Sequence, residues 1–324
     1  MREALYYARE NDKVRCLLCP HRCLIPEGKR GICRQRKNQG GKLIAEGYGM
    51  VSSIAMDPIE KKPLYHFYPG SNILSVGGLG CNLRCSFCQN WHIAHSEQPL
   101  HYFLPEKLVG IALSYGSVGI TFTYNEPVIW CEYILDAAPL FKQNELKVVL
   151  VTNGFVNPGP LDDMLHYVDA LNIDVKAFDE SFYRDVCGGS LAAVKEAVEL
   201  AALKAHVEIT TLVIGGLNDN RAEIAGLARW LAQIDKGIPL HLSRYFPNYK
   251  MQLPPTPVDT LYELKEVAGE YLDYIYIGNV WEADNDTYCP ACANKIVERG
   301  ISVEVKGLQG GKCSKCGKEI PIIL

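Results

Sequence analysis

The chain has 324 residues, 48% of them apolar, with a formal net charge of −4 and a pI near 6.1. That length can bury one large core and still carry small appendages, and the acidic balance argues against a dedicated nucleic-acid binder. The charge is uneven: residues 1–62 hold 13 Lys and Arg against 7 Asp and Glu, leaving 20 against 30 in the remainder. The basic start reads as a solvated surface beside thiolates, with an acidic partner or RNA as the alternative.

The opening stretch, MREALYYARENDKVRC, is polar and lacks the apolar core of a signal peptide. Apolar runs such as KVVLV fall far short of the ~20 residues needed to cross a bilayer. A cytoplasmic protein with no membrane partner is expected. In that compartment thiols stay reduced, so 13 cysteines point to metals before disulfides. Cys16, Cys19, Cys23 and Cys33 come first. Their irregular spacing departs from the bacterial ferredoxin run, and zinc, an iron–sulfur cluster or no metal all stay open. His21 stands among them. A hairpin across Gly40-Gly41 should complete a cysteine-rich module over residues 1–55.

From about residue 70 the rhythm changes. Apolar runs at 73–76, 118–122, 147–151, 170–175, 207–214, 239–242 and 274–277 alternate with amphipathic stretches at 105–115, 128–143, 158–167, 190–205, 219–235 and 257–272. Ser190 is a plausible N-cap for the fourth of these helices. Strand–helix–strand alternation with right-handed crossovers predicts an α/β fold, a partial (β/α)6 TIM-like barrel over residues 56–280. GCNLRCSFC, NEP, TNG and Lys176 each follow a strand run. Such positions meet at the C-terminal face of a barrel.

Residues 81–88 read C-N-L-R-C-S-F-C. Three thiolates in one short loop, Cys81, Cys85 and Cys88, can hold three corners of a [4Fe–4S] cube and leave one iron open. A zinc site closed by His92 or His95 is the alternative. With the aromatic Phe87 before the last cysteine, the array resembles the signature of the radical S-adenosylmethionine superfamily. That resemblance implies that the methionine amino and carboxylate groups chelate the open iron, and that reductive cleavage yields a 5′-deoxyadenosyl radical. Asn125-Glu126-Pro127 resembles the segment whose Glu binds the methionine ammonium. TNGF (152–155) and DVK (174–176) resemble glycyl-radical-enzyme activases. There Lys176 would reach the carboxylate, and Asp174 would help to hold a monovalent cation. Asn153 would touch the ribose. CLLCPHRC, EGKRGICRQR, DPIEKKPLYHFYPGS and GCNLRCSFCQNW together resemble the AmmeMemoRadiSam-system radical enzymes, which are similar to pyruvate formate-lyase activase. The resemblance implies a low-potential electron donor such as flavodoxin or ferredoxin, and a substrate, small molecule or protein, that the sequence does not identify.

The tail, residues 281–324, carries Cys289, Cys292, Cys313 and Cys316 as two CxxC knuckles, the spacing of a Zn²⁺-holding zinc ribbon. Among isolated residues, Cys187 and His66 are the candidates for catalysis or the substrate pocket. Arg244 and Tyr245 are candidates for substrate contact, and Cys131 is expected in the core. The functional reading is an enzyme that abstracts hydrogen, with glycyl-radical-enzyme activation as the alternative. A non-catalytic metal-rich scaffold or RNA-binding protein is the rival from another class.

Overall fold

A computed structural model describes residues 2–96 and 98–324. Its centre is an eight-stranded sheet: β1 (Ser53–Pro58), β2 (Asn72–Gly77), β3 (Gly119–Phe122), β4 (Lys147–Thr152), β5 (Ala170–Asp174), β6 (His206–Val213), β7 (Leu240–Arg244) and β8 (Ile275–Gly278). Strands β2 to β8 are parallel, and β1 runs antiparallel on the edge beside β2. The strands lie across the sheet in chain order, so each crossover advances one place in the same direction. The sheet is open, with β1 and β8 as its edges.

Six helices make the crossovers: α1 (Pro105–Ser114), α2 (Cys131–Gln143), α3 (Pro158–Leu165), α4 (Leu191–Ala202), α5 (Arg221–Ile234) and α6 (Val258–Gly269). Every apolar run and amphipathic stretch read from the sequence is one of these elements. The reason is physical: a parallel sheet covered by helices buries its strands, as β3 does along its whole length. The other face is polar for a core. Ser75, Thr121, Asn172 and Thr210 are buried on β2, β3, β5 and β6, and the Thr210 hydroxyl donates to Asn172 Oδ1 at 2.9 Å. Ser190 does precede α4, but its side chain makes no capping bond. Glu180 Oε2 instead accepts from the Leu191 and Ala192 N–H groups at 2.9 and 3.2 Å.

Residues 2–51 form small antiparallel sheets packed into the same core through Val14, Leu18, Ile25 and Leu43. The expected hairpin joins Arg36–Gln39 to Lys42–Ala45, and Gly40 and Gly41 both take the positive φ (64° and 72°) that such a two-residue turn demands. A buried ion pair fastens this hairpin to α2: Arg36 Nη1 and Nη2 donate to Glu132 at 3.0 and 2.7 Å. The tail adds strands Thr287–Tyr288, Lys295–Arg299 and Val303–Val305 and packs on Tyr274 and Tyr276 around β8. Among the described residues no helix is long and apolar enough to cross a membrane.

Candidate active site

A cavity of about 360 Å³ lies at the C-terminal ends of the parallel strands. The loop after β2 brings Cys81, Cys85, Phe87 and Cys88 to its wall. The loop after β3 brings Asn125 and Glu126, that after β4 brings Asn153, and the end of β5 brings Asp174 and Lys176. Residues nearly a hundred positions apart thus share one chamber.

The cysteine loop is held by its neighbours. Asn125 Oδ1 accepts from Gly78 N–H at 3.0 Å, and its Nδ2 donates to the Gly80 carbonyl at 3.0 Å, which pins the turn into Cys81. Gly80 sits at φ +87°, and a Cβ there would lie 2.4 Å from the Cys33 carbonyl, so only glycine allows this approach. Asn153 Nδ2 donates to Asn82 Oδ1 at 3.0 Å and lies 3.6 Å from Cys81 Sγ. Both asparagines line the cavity, but their amides are engaged in positioning the loop.

Glu126 is 2% exposed. Its carboxylate accepts from Val128 N–H at 3.0 Å, Thr152 Oγ1 at 2.6 Å and Asn153 N–H at 2.8 Å. Burial outweighs these donors and pushes its pKa up to about 7. A buried carboxyl in this state gains most from an arriving cation. Lys176 Nζ lies 2.6 Å from Asp174 Oδ2. Burial works against the lysine charge, yet Asp174 and the nearby thiols prevail and raise its pKa. Its loop is braced by Asn218, whose Nδ2 donates to the Lys176 carbonyl at 2.7 Å. One side of the chamber is therefore acidic and the other carries a paired cation.

Two wall groups escaped the sequence reading. Lys61 and Lys62 line the cavity, and Lys62, 3% exposed, pairs with Asp57 at 2.7 Å. Tyr124 also lines it, at φ +71°, donating to Asp57 Oδ2 at 2.6 Å with Lys62 over its ring at 4.7 Å. The signal was present in DPIEKKPLYHFYPGS, which contributes Asp57 and both lysines.

Other candidates lie elsewhere. Cys187 is fully buried, and its free thiol donates a hydrogen bond toward the Cys85 sulfur. It stands behind the cysteine loop, since its carbonyl accepts from Arg84 N–H at 2.7 Å, and it is not part of the cavity wall. His66 sits at the opposite end of the sheet. Its Nδ1 lies 3.2 Å from the Pro321 carbonyl, so this nitrogen carries the proton, and Nε2 accepts from the Tyr276 hydroxyl at 2.7 Å. Its backbone N–H donates to Glu208 Oε1 at 2.7 Å. Both residues belong to packing rather than to the chamber. Arg244 donates to the Thr256 carbonyl and Tyr245 to that of Met251, each at 2.8 Å, and neither lines the cavity. His92 and His95 join no metal-sized group with the central cysteines among the described residues. Cys131 is fully buried in the core, as expected.

In the tail, the sulfur atoms of Cys289, Cys292, Cys313 and Cys316 all lie within 4.8 Å of one another, with Cys289–Cys316 at 3.5 Å and Cys292–Cys313 at 3.7 Å. Four thiolates ~2.3 Å from a tetrahedral ion stand about 3.8 Å apart, so this set fits a single metal. Cys16, Cys19, Cys23 and Cys33 surround a separate small cavity beneath Asn82.

Residues 76–231 match the model of the Radical SAM superfamily. A protein of Methanocaldococcus jannaschii, described as uncharacterized, is 41% identical over the full length of both chains. The pyruvate formate-lyase-activating enzyme of Clostridium pasteurianum is 26% identical over 48% of this chain and 67% of its own. Among solved structures, Streptococcus suis SuiB bound to S-adenosylmethionine shares the fold over 62% of this chain and 48% of its own, with a TM-score of 0.50 and 13% identity.

Proposed function

The chain belongs to the radical S-adenosylmethionine superfamily, and on that footing we propose that it cleaves S-adenosylmethionine reductively and abstracts hydrogen from a substrate. The observation that carries this reading is the single cavity walled by Cys81, Cys85, Cys88, Glu126, Asp174 and Lys176. The donor set fits the cofactors. The cavity wall carries three thiols, which leaves one corner of a [4Fe–4S] cluster open, and among the described residues their sulfurs are not drawn into a zinc-sized group. When bound, the cluster supplies one electron to the sulfonium, and the cofactor then furnishes the 5′-deoxyadenosyl radical.

The residues of the chain do the holding. Glu126 offers its carboxylate to the methionine ammonium and gains a counter-charge in a dry site. Lys176 offers its ammonium to the methionine carboxylate, and Asp174 keeps that lysine charged and positioned. Phe87, buried against Phe182 with ring centroids 6.0 Å apart, closes the loop on the apolar side. Asn125 and Asn153 act as positioning residues for Cys81. We read the open sheet as a partial barrel whose polar interior receives the substrate. The tail thiols we assign to structural Zn²⁺. The fold and the cysteine chemistry suit a cytoplasmic enzyme fed by a one-electron carrier such as ferredoxin or flavodoxin.

Activation of a glycyl-radical enzyme is the second reading, supported by the match to an activating enzyme over about half of the chain. The test of the first is direct. Anaerobically reconstituted protein, reduced with dithionite and given S-adenosylmethionine, should form 5′-deoxyadenosine detectable by mass spectrometry. Cluster-loaded protein that forms none, and whose reduced spectrum ignores the cofactor, would overturn it.

A further inference from the structure

We propose that Cys16, Cys19, Cys23 and Cys33 hold a second [4Fe–4S] cluster. All four line one small cavity with Arg36 and Asn82.

The molecule contains its own yardsticks. The tail cysteines bring every sulfur within 4.8 Å of the others. Among the described residues, neither the central nor the N-terminal set brings three sulfurs that close. The N-terminal thiols therefore do not close up as the tail set does, and neither do those of the set assigned to the catalytic cluster, a comparison that rests on the function proposed above. The surroundings favour an anionic occupant. Arg36 is 1% exposed, its Nη atoms are taken by Glu132, and its Nε has no hydrogen-bond partner. A buried N–H left over beside four thiols suits a cluster whose ligands bring net negative charge.

The site is also close to the central loop. His21 Nε2 lies 2.7 Å from the Asn82 carbonyl, Asn82 lines the N-terminal cavity, and Gly80 presses on the Cys33 carbonyl. The segment 80–82 thus touches the N-terminal cysteine site and carries Cys81 of the central set.

The experiment uses the full chain, purified and reconstituted anaerobically, with iron, sulfide and zinc counted and the reduced protein followed by electron paramagnetic resonance. The parent should hold about eight iron atoms and about one zinc. The Cys81→Ala/Cys85→Ala/Cys88→Ala variant should keep about four iron atoms, with a signal that S-adenosylmethionine does not alter. The Cys19→Ser/Cys33→Ser variant should keep about four, with a signal that it does alter. About four iron and two zinc in the parent would overturn the proposal. So would loss of all iron in the central variant. Iron that survives the central substitutions but vanishes with Cys19→Ser/Cys33→Ser would uphold this site and overturn the central one. If a variant does not accumulate, the parent alone decides: one cofactor-sensitive and one insensitive signal support the proposal, and a single signal refutes it.

Discussion

Glu132→Gln should loosen the N-terminal module from the central sheet and its helices more than any surface change. Arg36 and Glu132 are each 1% exposed, and two hydrogen bonds of 3.0 and 2.7 Å join them. Glu132 Oε1 also accepts from Leu5 N–H at 2.9 Å, so one carboxylate ties two module segments to α2. Removing its charge takes away the carboxylate paired with this buried guanidinium, which costs ~3–5 kcal/mol. At ~1.4 kcal/mol per factor of ten, opening of the module should become roughly two to three and a half orders of magnitude more frequent. Limited proteolysis of the anaerobic, metal-loaded protein reads this as faster cleavage within residues 2–51, with fragments from the central sheet spared. Because the pair is buried, added salt should not mask the effect. The double change Arg36→Met/Glu132→Leu should recover much of the loss, since it removes both charges and keeps apolar volume. A single variant cleaved at the parent's rate, or a double variant no better than the single, would refute the reasoning.

Lys176→Met should raise the dissociation constant for S-adenosylmethionine about ten- to hundredfold, the worth of one charge-assisted hydrogen bond (~1.5–3 kcal/mol), and leave cluster absorption unchanged; anaerobic titration measures both. Cys313→Ser removes a buried member of the tail's sulfur group, so residues 287–324 should become protease-sensitive while central iron is retained, and an unchanged digest would mean packing alone holds the tail. Burial holds the His66 pKa down at about 3, against ~6.5 for a free histidine. The unfolded chain therefore protonates first, and stability should fall by up to ~1.4 kcal/mol per pH unit as pH drops below ~6.5. Urea unfolding between pH 7.5 and 5.5 should show His66→Gln losing that share of the slope.

The strands and helices were legible because the sheet is buried on its covered face and the helices bury one stripe each, which writes plain periods into the sequence. β1 was not legible. Its SIAMDP run ends in an Asp that pairs with Lys62 and a Pro tolerated on an edge, so it carries neither a continuous apolar run nor a clean alternation. The central site was legible as far as chain order locates residues at strand ends. What chain order does not give is direction. Cys187 and the cysteine loop do meet, but Cys187 supports that loop from behind, and His66 lies before β2 at the far end. Asn125 and Asn153 reach the chamber, yet their amides turn toward backbone and sulfur. Lys62 was hidden because its partners, Asp57 and Tyr124, come from different segments.

The filled end of the sheet has a consequence for traffic. Ile59, Leu64, His66, Phe67 and Glu208 are all at 0–1% exposure, and the tail clamps them from below, with Ile323 bridging to Phe67 and Arg299 Nη2 donating to the Tyr65 carbonyl at 2.6 Å. The chamber is a blind alley rather than a corridor. Whatever occupies its floor must arrive before whatever occupies its mouth, and must leave after it.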